Sequence, residues 1–132
     1  MNAEPPKPIC VLFDEWHSES WSSSRGRARE IQPEDPVGSS YQRAADTLAD
    51  RDFRIARNVD GPLAHDRLEN AGVLVLAHPC DPRWERTTSA NSPALSSDET
   101  HAVLEWVKGG GGLLLITEYE HDKYGDNFNE LL

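Results

Sequence analysis

Residues 109–122 carry the sequence GGGGLLLITEYEHD, in which four glycines lead into an apolar run that ends abruptly in polar side chains. A continuous apolar run such as Leu113–Ile116, bounded by glycines, is typical of a buried parallel strand. Open α/β sheets place their ligand crevices at the carboxyl ends of the strands. We therefore expect a central strand here, with the polar residues 117–122 at the edge of a crevice.

Two further apolar runs, Ile9–Phe13 and Val73–Ala77, also end in polar residues and predict two more buried strands. Between these runs the pattern predicts a short outer strand at Phe53–Ala56 and a long loop over residues 18–39. Helical spacing and capping residues predict helices at Tyr41–Asp50, at Pro62–Asn70, from Ser96 or Ser97 to Gly109, and from about Asp126 onward.

This order of elements predicts an α/β fold, a three-layer flavodoxin-like (Rossmann-like) parallel sheet of about four strands with helices on both faces. We expect residues 1–8 to be a Pro-rich tail and residues 9–132 to be a single domain. Four strands make a thin sheet, so we expect either a C-terminally truncated chain or a domain that leans on a partner. The partner would be another copy of the chain or a further domain.

The composition restricts the partners. The 132 residues include 13 basic and 23 acidic side chains, which gives a formal net charge of −10. This argues against nucleic acid and anionic membranes, because phosphate binding requires a basic surface. No segment approaches the ~20 apolar residues of a membrane span, and no signal peptide pattern opens the chain. We expect a cytoplasmic protein that binds a small molecule or a partner protein.

The segments LFDEWH, YQRAADTL, VLVLAHP and ETHAVLEWVKGGGGLLLITEYEHD together resemble the class I glutamine amidotransferase-like superfamily, in particular its ThuA-like and DUF4350-like branch. The resemblance runs from Ile9 to about Leu132 and implies the fold given above. In active members a cysteine nucleophile follows the strand that matches Leu113–Ile116. Thr117 and Glu118 stand there in this chain, so the resemblance implies a domain without glutaminase activity.

Polar residues at three strand ends form the main candidate site. A parallel sheet brings strand ends together, and imidazoles with carboxylates suit zinc, manganese or iron, which activates water for hydrolysis. The predicted metal ligands are His17, Glu19, His78, Glu118, His121 and Asp122. The predicted catalytic residues of a metal or acid/base centre are Asp14, His17, Glu118 and His121.

Two other nucleophilic arrangements remain open from the sequence. His17 or His121 could serve as a general base for the hydroxyl of Ser18 or Thr117, or Cys80 could act beside His78. The adjacent Asp81 disfavours a Cys80 thiolate.

The function predicted from the sequence is a hydrolase of a small polar or sugar-like substrate, dependent on a divalent metal or on acid/base residues. The alternative is a non-catalytic module that binds a ligand or a partner protein.

Overall fold

A computed structural model describes residues 3–17, 21–38, 40–77, 94–117 and 126–132. The strands are β1 (Cys10–Asp14), β2 (Arg54–Asn58), β3 (Val73–Ala77) and β4 (Gly112–Ile116). The helices are α1 (Arg25–Ile31), α2 (Gln42–Ala49), α3 (His65–Leu68), α4 (Ser97–Lys108) and a short 3₁₀ helix, Phe128–Leu131.

The four strands form one parallel sheet in the order β2-β1-β3-β4. This is the start of the flavodoxin-like order, and it places the point where the strand order reverses between β1 and β3. The predicted fold class, a flavodoxin-like α/β sheet, is therefore confirmed. The described residues include no helix that is both long and apolar enough to cross a membrane.

Each face of the sheet has its own apolar core. Leu12, Leu74 and Leu76 point to one face, where they pack with residues of α3, α4 and the 3₁₀ helix. Val11, Phe13 and Val75 point to the other face and pack against Ala45 of α2. Side chains alternate between the faces along each strand, which explains why continuous apolar sequences form β1 and β3. Helices on both faces were predicted, and this prediction is confirmed.

Helix α4 begins where the sequence predicts. The Ser96 hydroxyl accepts a hydrogen bond from the Glu99 backbone N–H, and the Glu99 carboxylate accepts one from the Ser96 backbone N–H. This reciprocal capping box satisfies two N–H groups that the first helical turn leaves without partners. Gly109 ends the helix, as expected.

The predicted long loop over residues 18–39 is wrong in part, because α1 occupies its middle. Ser24 caps this helix by accepting a hydrogen bond from the Arg27 N–H, and Ala28 and Ile31 are buried. Two apolar positions in seven residues are too few for a helical period to stand out from a Ser- and Arg-rich sequence.

The predicted central position of the strand at Leu113–Ile116 is also wrong for the residues that the structure describes. β4 is the last strand in the sheet order, and none of its residues is fully buried. β1 and β3 are the two central strands, and β1 is buried along its whole length. An apolar sequence shows that a strand prefers burial, but its place in the sheet depends on which strands pair with it.

Candidate functional site

Buried polar side chains gather at the carboxyl ends of β1 and β2, beside the reversal point of the sheet. Asp14, Glu15, His17, Asn58 and Glu99 each expose 6% or less of their surface. Asp14 is the last residue of β1 and pairs in register with Asn58, the last residue of β2. Burying polar groups is costly unless each of them has a hydrogen-bond partner, so the contacts of this cluster determine what it can do.

His17 lies between two carboxylates. Its Nδ1 is 2.6 Å from Asp14 Oδ2, and its Nε2 is 2.9 Å from Glu99 Oε1. A carboxylate accepts hydrogen bonds, so this position favours the imidazolium form, in which both ring nitrogens are donors. The side chain thereby joins the end of β1 to the first turn of α4.

The surroundings favour the charged forms of His17 and Glu99. Burial by itself lowers the pKa of His17, but the hydrogen bond and charge of Asp14, together with the charge and hydrogen bond of Glu99, outweigh it and raise that pKa above 6.5. Burial by itself raises the pKa of Glu99. Hydrogen bonds from the backbone N–H groups of Ser96 and Leu63, and the charge of His17, lower the pKa below its usual 4.5.

Asn58 closes the network on the β2 side. Its amide nitrogen donates to Asp14 Oδ1 and to the Gly61 carbonyl, both at 2.8 Å. Its amide oxygen accepts a hydrogen bond of 2.8 Å from Arg67, whose guanidinium also bonds Asp60. Asp14 therefore has a partner for each of its carboxylate oxygens, His17 on one and Asn58 on the other.

Glu15 forms a second ion pair beside this network. Arg57 donates to both of its carboxylate oxygens, at 2.6 and 3.0 Å, and the Ser23 hydroxyl adds a third bond of 3.0 Å. The pair borders a cavity of about 360 Å³ that Arg27 and Glu30 also line. These two are themselves joined by a salt bridge of 3.0 Å, so the charges around the cavity are matched in sign and number.

The arrangement leaves little capacity for acid/base chemistry. A general base needs a free nitrogen lone pair, and both nitrogens of His17 are in contact with carboxylates. Among the described residues, Thr100 Oγ1 is the one buried side-chain polar atom without a hydrogen-bond partner, and it belongs to no part of this network. The cluster is thus a closed set of ion pairs and hydrogen bonds that joins β1, β2, the β2–α3 connection and α4.

Comparison with known proteins shows a similar fold but assigns the chain to no family. No protein-family model matches the chain, and no curated protein matches it. The chain is similar to a solved structure titled "mmIFT52 N-terminal domain", with a TM-score of 0.62 and 12% sequence identity. The match covers 92% of this chain and 42% of that chain, so this chain spans under half of its length. At this identity the likeness shows the fold alone, and the amidotransferase-like resemblance stays a prediction.

The structure brings together two of the predicted site residues, Asp14 and His17. The other predicted catalytic and metal residues lie outside the described part of the chain: Glu19, His78, Glu118, His121 and Asp122. The candidate nucleophiles Ser18 and Cys80 lie outside it as well. The third candidate, the Thr117 hydroxyl, is exposed and lies 3.3 Å from Asp126 Oδ2.

No group of three or more His, Cys, Asp or Glu side chains suited to a metal occurs within the described ranges. His17 would have to give up one of its two carboxylate contacts to present a lone pair to a metal. The predicted zinc, manganese or iron centre stays a prediction, because most of its proposed ligands are not among the described residues.

Glu99 and Asn58 of the network, and Arg57 of the adjoining ion pair, were not among the predicted site residues. The sequence Ser96-x-x-Glu99 is a capping-box signature and identifies Glu99 as a helix-capping residue. Its contact with His17 joins positions 82 apart in the chain and leaves no local signal. Asn58 and Arg57 end an outer strand whose register with β1 only the folded sheet defines.

Proposed function

We propose that this domain is a non-catalytic protein-binding module, in which the Asp14–His17–Glu99 network holds α4 against the end of the sheet. The observation that carries this proposal is the engagement of both His17 ring nitrogens by carboxylates. The place where this fold usually offers reactive groups is filled by charged side chains that are engaged with one another. A fold by itself assigns no reaction, so the site chemistry has to decide.

The net charge of −10 supports a protein partner over a nucleic acid. The partly exposed apolar strand β4 supports it further, since exposed apolar surface of this kind is characteristic of interaction sites.

The hydrolase remains the second candidate function. The contact of 2.6 Å between Asp14 and His17 favours it, because a carboxylate that orients an imidazole is a common part of acid/base centres. In that mechanism Glu118 and His121 would complete the centre with a divalent metal, and His17 would release Glu99.

Two measurements on the full chain test the proposal. The first is the metal content of protein purified without chelator, determined by elemental mass spectrometry for the native chain and for His17→Ala, His121→Ala and His65→Ala. The His65 side chain is 89% exposed and serves as the control. We expect no stoichiometric metal in any of the four proteins. Near-stoichiometric zinc, manganese or iron that is lost in His17→Ala and His121→Ala but kept in His65→Ala would overturn the proposal in favour of the hydrolase.

The second measurement is a selection from a random peptide library on the immobilised chain. We expect enriched peptides that share a sequence pattern and bind the soluble domain. Failure to enrich any peptide above the background of a blocked surface would contradict a protein-binding module.

A further inference from the structure

The outer edge of β4 carries backbone groups that pair with no other strand in the described part of the chain. Across the described ranges no strand pairs with the side of β4 that faces away from β3. The Gly112 N–H donates to the Gly72 carbonyl in front of β3 at 3.0 Å. Backbone groups of successive residues in a strand point to opposite sides. The N–H and C=O groups of Leu113 and Leu115 therefore point outward from the sheet.

The two edge strands of the described sheet differ in the features that oppose pairing with another chain. The opposite edge strand, β2, carries Arg54 and Arg57, and charged side chains on an edge strand oppose pairing with another chain. β4 consists of glycine followed by four aliphatic residues and has no charge, proline or bulge. Leu114 exposes 49% of its surface on the α2 face of this strand. An apolar edge without these protections is a template for strand addition.

An apolar cavity lies next to the same edge on the other face of the sheet. It has a volume of about 350 Å³ and is lined in part by Leu115, Phe128 and Leu132, with Asp126 at its polar side. A strand added beside β4 would point alternate side chains to the two faces. One set would cover Leu114, and the other would reach this cavity.

The charge around this edge indicates the chemistry of the partner. The described segment 126–132, which lines this cavity in part, carries two acids, Asp126 and Glu130, and no lysine or arginine. The whole chain has a formal net charge of −10. A basic segment is therefore attracted to this edge. A second copy of the chain would bring another net charge of −10 and meet repulsion.

We infer that the outer edge of β4 is the docking site for an extended, basic segment of a partner protein, which joins the sheet as a fifth strand. Main-chain hydrogen bonds to Leu113 and Leu115 supply affinity, and alternate apolar side chains over Leu114 and the cavity supply specificity. This inference rests on the proposed protein-binding function and names the surface that performs it.

The test uses a fluorescein-labelled peptide, KKVTVTVKK, whose alternating centre suits a strand and whose ends are basic. Binding to the full chain is measured by fluorescence anisotropy. The control peptides are EEVTVTVEE and KKVTPTVKK, because the first reverses the end charges and the second removes a central N–H. We expect binding of the lysine peptide alone, weakening with salt, together with slower amide exchange at Leu113 and Leu115 in the complex.

Three variants locate the site. Leu114→Lys places a charge like that of the peptide on the edge, and Leu114→Glu removes the same apolar contact with the opposite charge. Val59→Lys is the matched control, because Val59 is 48% exposed and lies just after β2. We expect Leu114→Lys to weaken peptide binding at least about tenfold, because it removes one apolar contact and repels the basic ends of the peptide. Leu114→Glu should weaken it less, and Val59→Lys should leave it unchanged.

Different results would overturn the β4 edge site and the protein-binding module. Peptides from the random library that bind equally well to Leu114→Lys and the native chain would overturn the edge site and leave the binding module standing. The same would follow if the lysine peptide failed to bind while library peptides bound without protecting Leu113 and Leu115. Absence of binding by both the lysine peptide and every library peptide would overturn both proposals. Concentration-dependent dimerisation abolished by Leu114→Lys, without peptide binding, would assign the edge to a second copy.

Discussion

At the scale of single residues, His17 is the link on which the buried network depends. Its removal would leave Asp14 and Glu99 buried and facing each other without the positive charge between them. Breaking a buried ion pair on one side costs about 3–5 kcal/mol. We expect His17→Ala to lower the free energy of unfolding by that amount, measured by urea denaturation.

The matched control is His101→Ala, which removes an exposed imidazole from the middle of α4. Exposed substitutions without specific partners change stability by about 0.5 kcal/mol or less. Equal unfolding midpoints for the native chain and His17→Ala would show that the network stabilises nothing.

The same residue predicts how stability depends on pH. The pKa of His17 is raised in the folded chain, so its contribution is complete below pH 6.5 and is lost as the pH rises through the folded value. The pKa of Glu99 is lowered, so its contribution is present above pH 4.5 and is lost as the pH falls through the folded value.

We therefore expect the difference in unfolding free energy between the native chain and His17→Gln to be largest between pH 4.5 and 6.5. Urea denaturation of both proteins across a series of pH values measures it. A difference that stays constant or grows from pH 6.5 into the alkaline range would contradict a charged His17.

At the scale of elements, the connection from α4 to β4 depends on glycine at two positions for different reasons. Gly110 has a φ of +108°, a left-handed conformation that L side chains rarely adopt. Gly111 lies against the ring of Trp106, where an added Cβ would overlap the ring atoms Cδ2 and Cε2. Trp106 in turn packs against the core beneath α4.

Gly111→Ala should accordingly destabilise the domain, because the Trp106 ring must shift within a packed environment. Overpacking of this kind costs about 1–3 kcal/mol. Gly26→Ala in α1 is the control, since its Cβ would lie 3.9 Å from Ser24 Oγ, an ordinary van der Waals distance. That change should stabilise by about 0.4–1 kcal/mol. Thermal unfolding of both variants distinguishes the two effects, and a higher melting temperature for Gly111→Ala would contradict the contact.

At the scale of the whole molecule, the sheet order predicts a pattern of local stability. β1 and β3 pair on both sides, whereas β2 and β4 each pair on one side within the described part of the chain. Backbone amides in the core of a sheet exchange with solvent only through large openings, and edge amides exchange more readily.

We expect native-state hydrogen exchange, followed by NMR, to be slowest in β1 and β3. Along β4 the rates should alternate. The Leu114 amide points to β3 and should be protected, while the outward amides of Leu113 and Leu115 should exchange faster. Uniform protection along β4 would mean that its outer edge is already paired in the free protein.

The sequence predicted those features of the whole molecule that depend on a single local pattern of residues. Apolar runs located β1 and β3, the capping box and Gly109 located α4, and the alternation of strands and helices predicted a parallel sheet with helices on both faces. Asp14 and His17 were predicted as site residues because they follow a buried strand. Each of these inferences needs only neighbouring residues and the geometry of a parallel sheet.

Which distant segments of the chain contact each other was decided only by the tertiary structure. The apolar sequence of β4 expresses a preference for burial, but only the strand order shows it at an edge with Leu114 exposed. His17 and Glu99 are each explicable alone, as a polar residue after a strand and as a helix cap. Their contact of 2.9 Å, which favours the protonated form of the buried imidazole, arises because the sheet and α4 pack together. Local patterns specify the elements of this protein. The packing of elements far apart in the chain specifies its charged network and places β4 last in the described sheet.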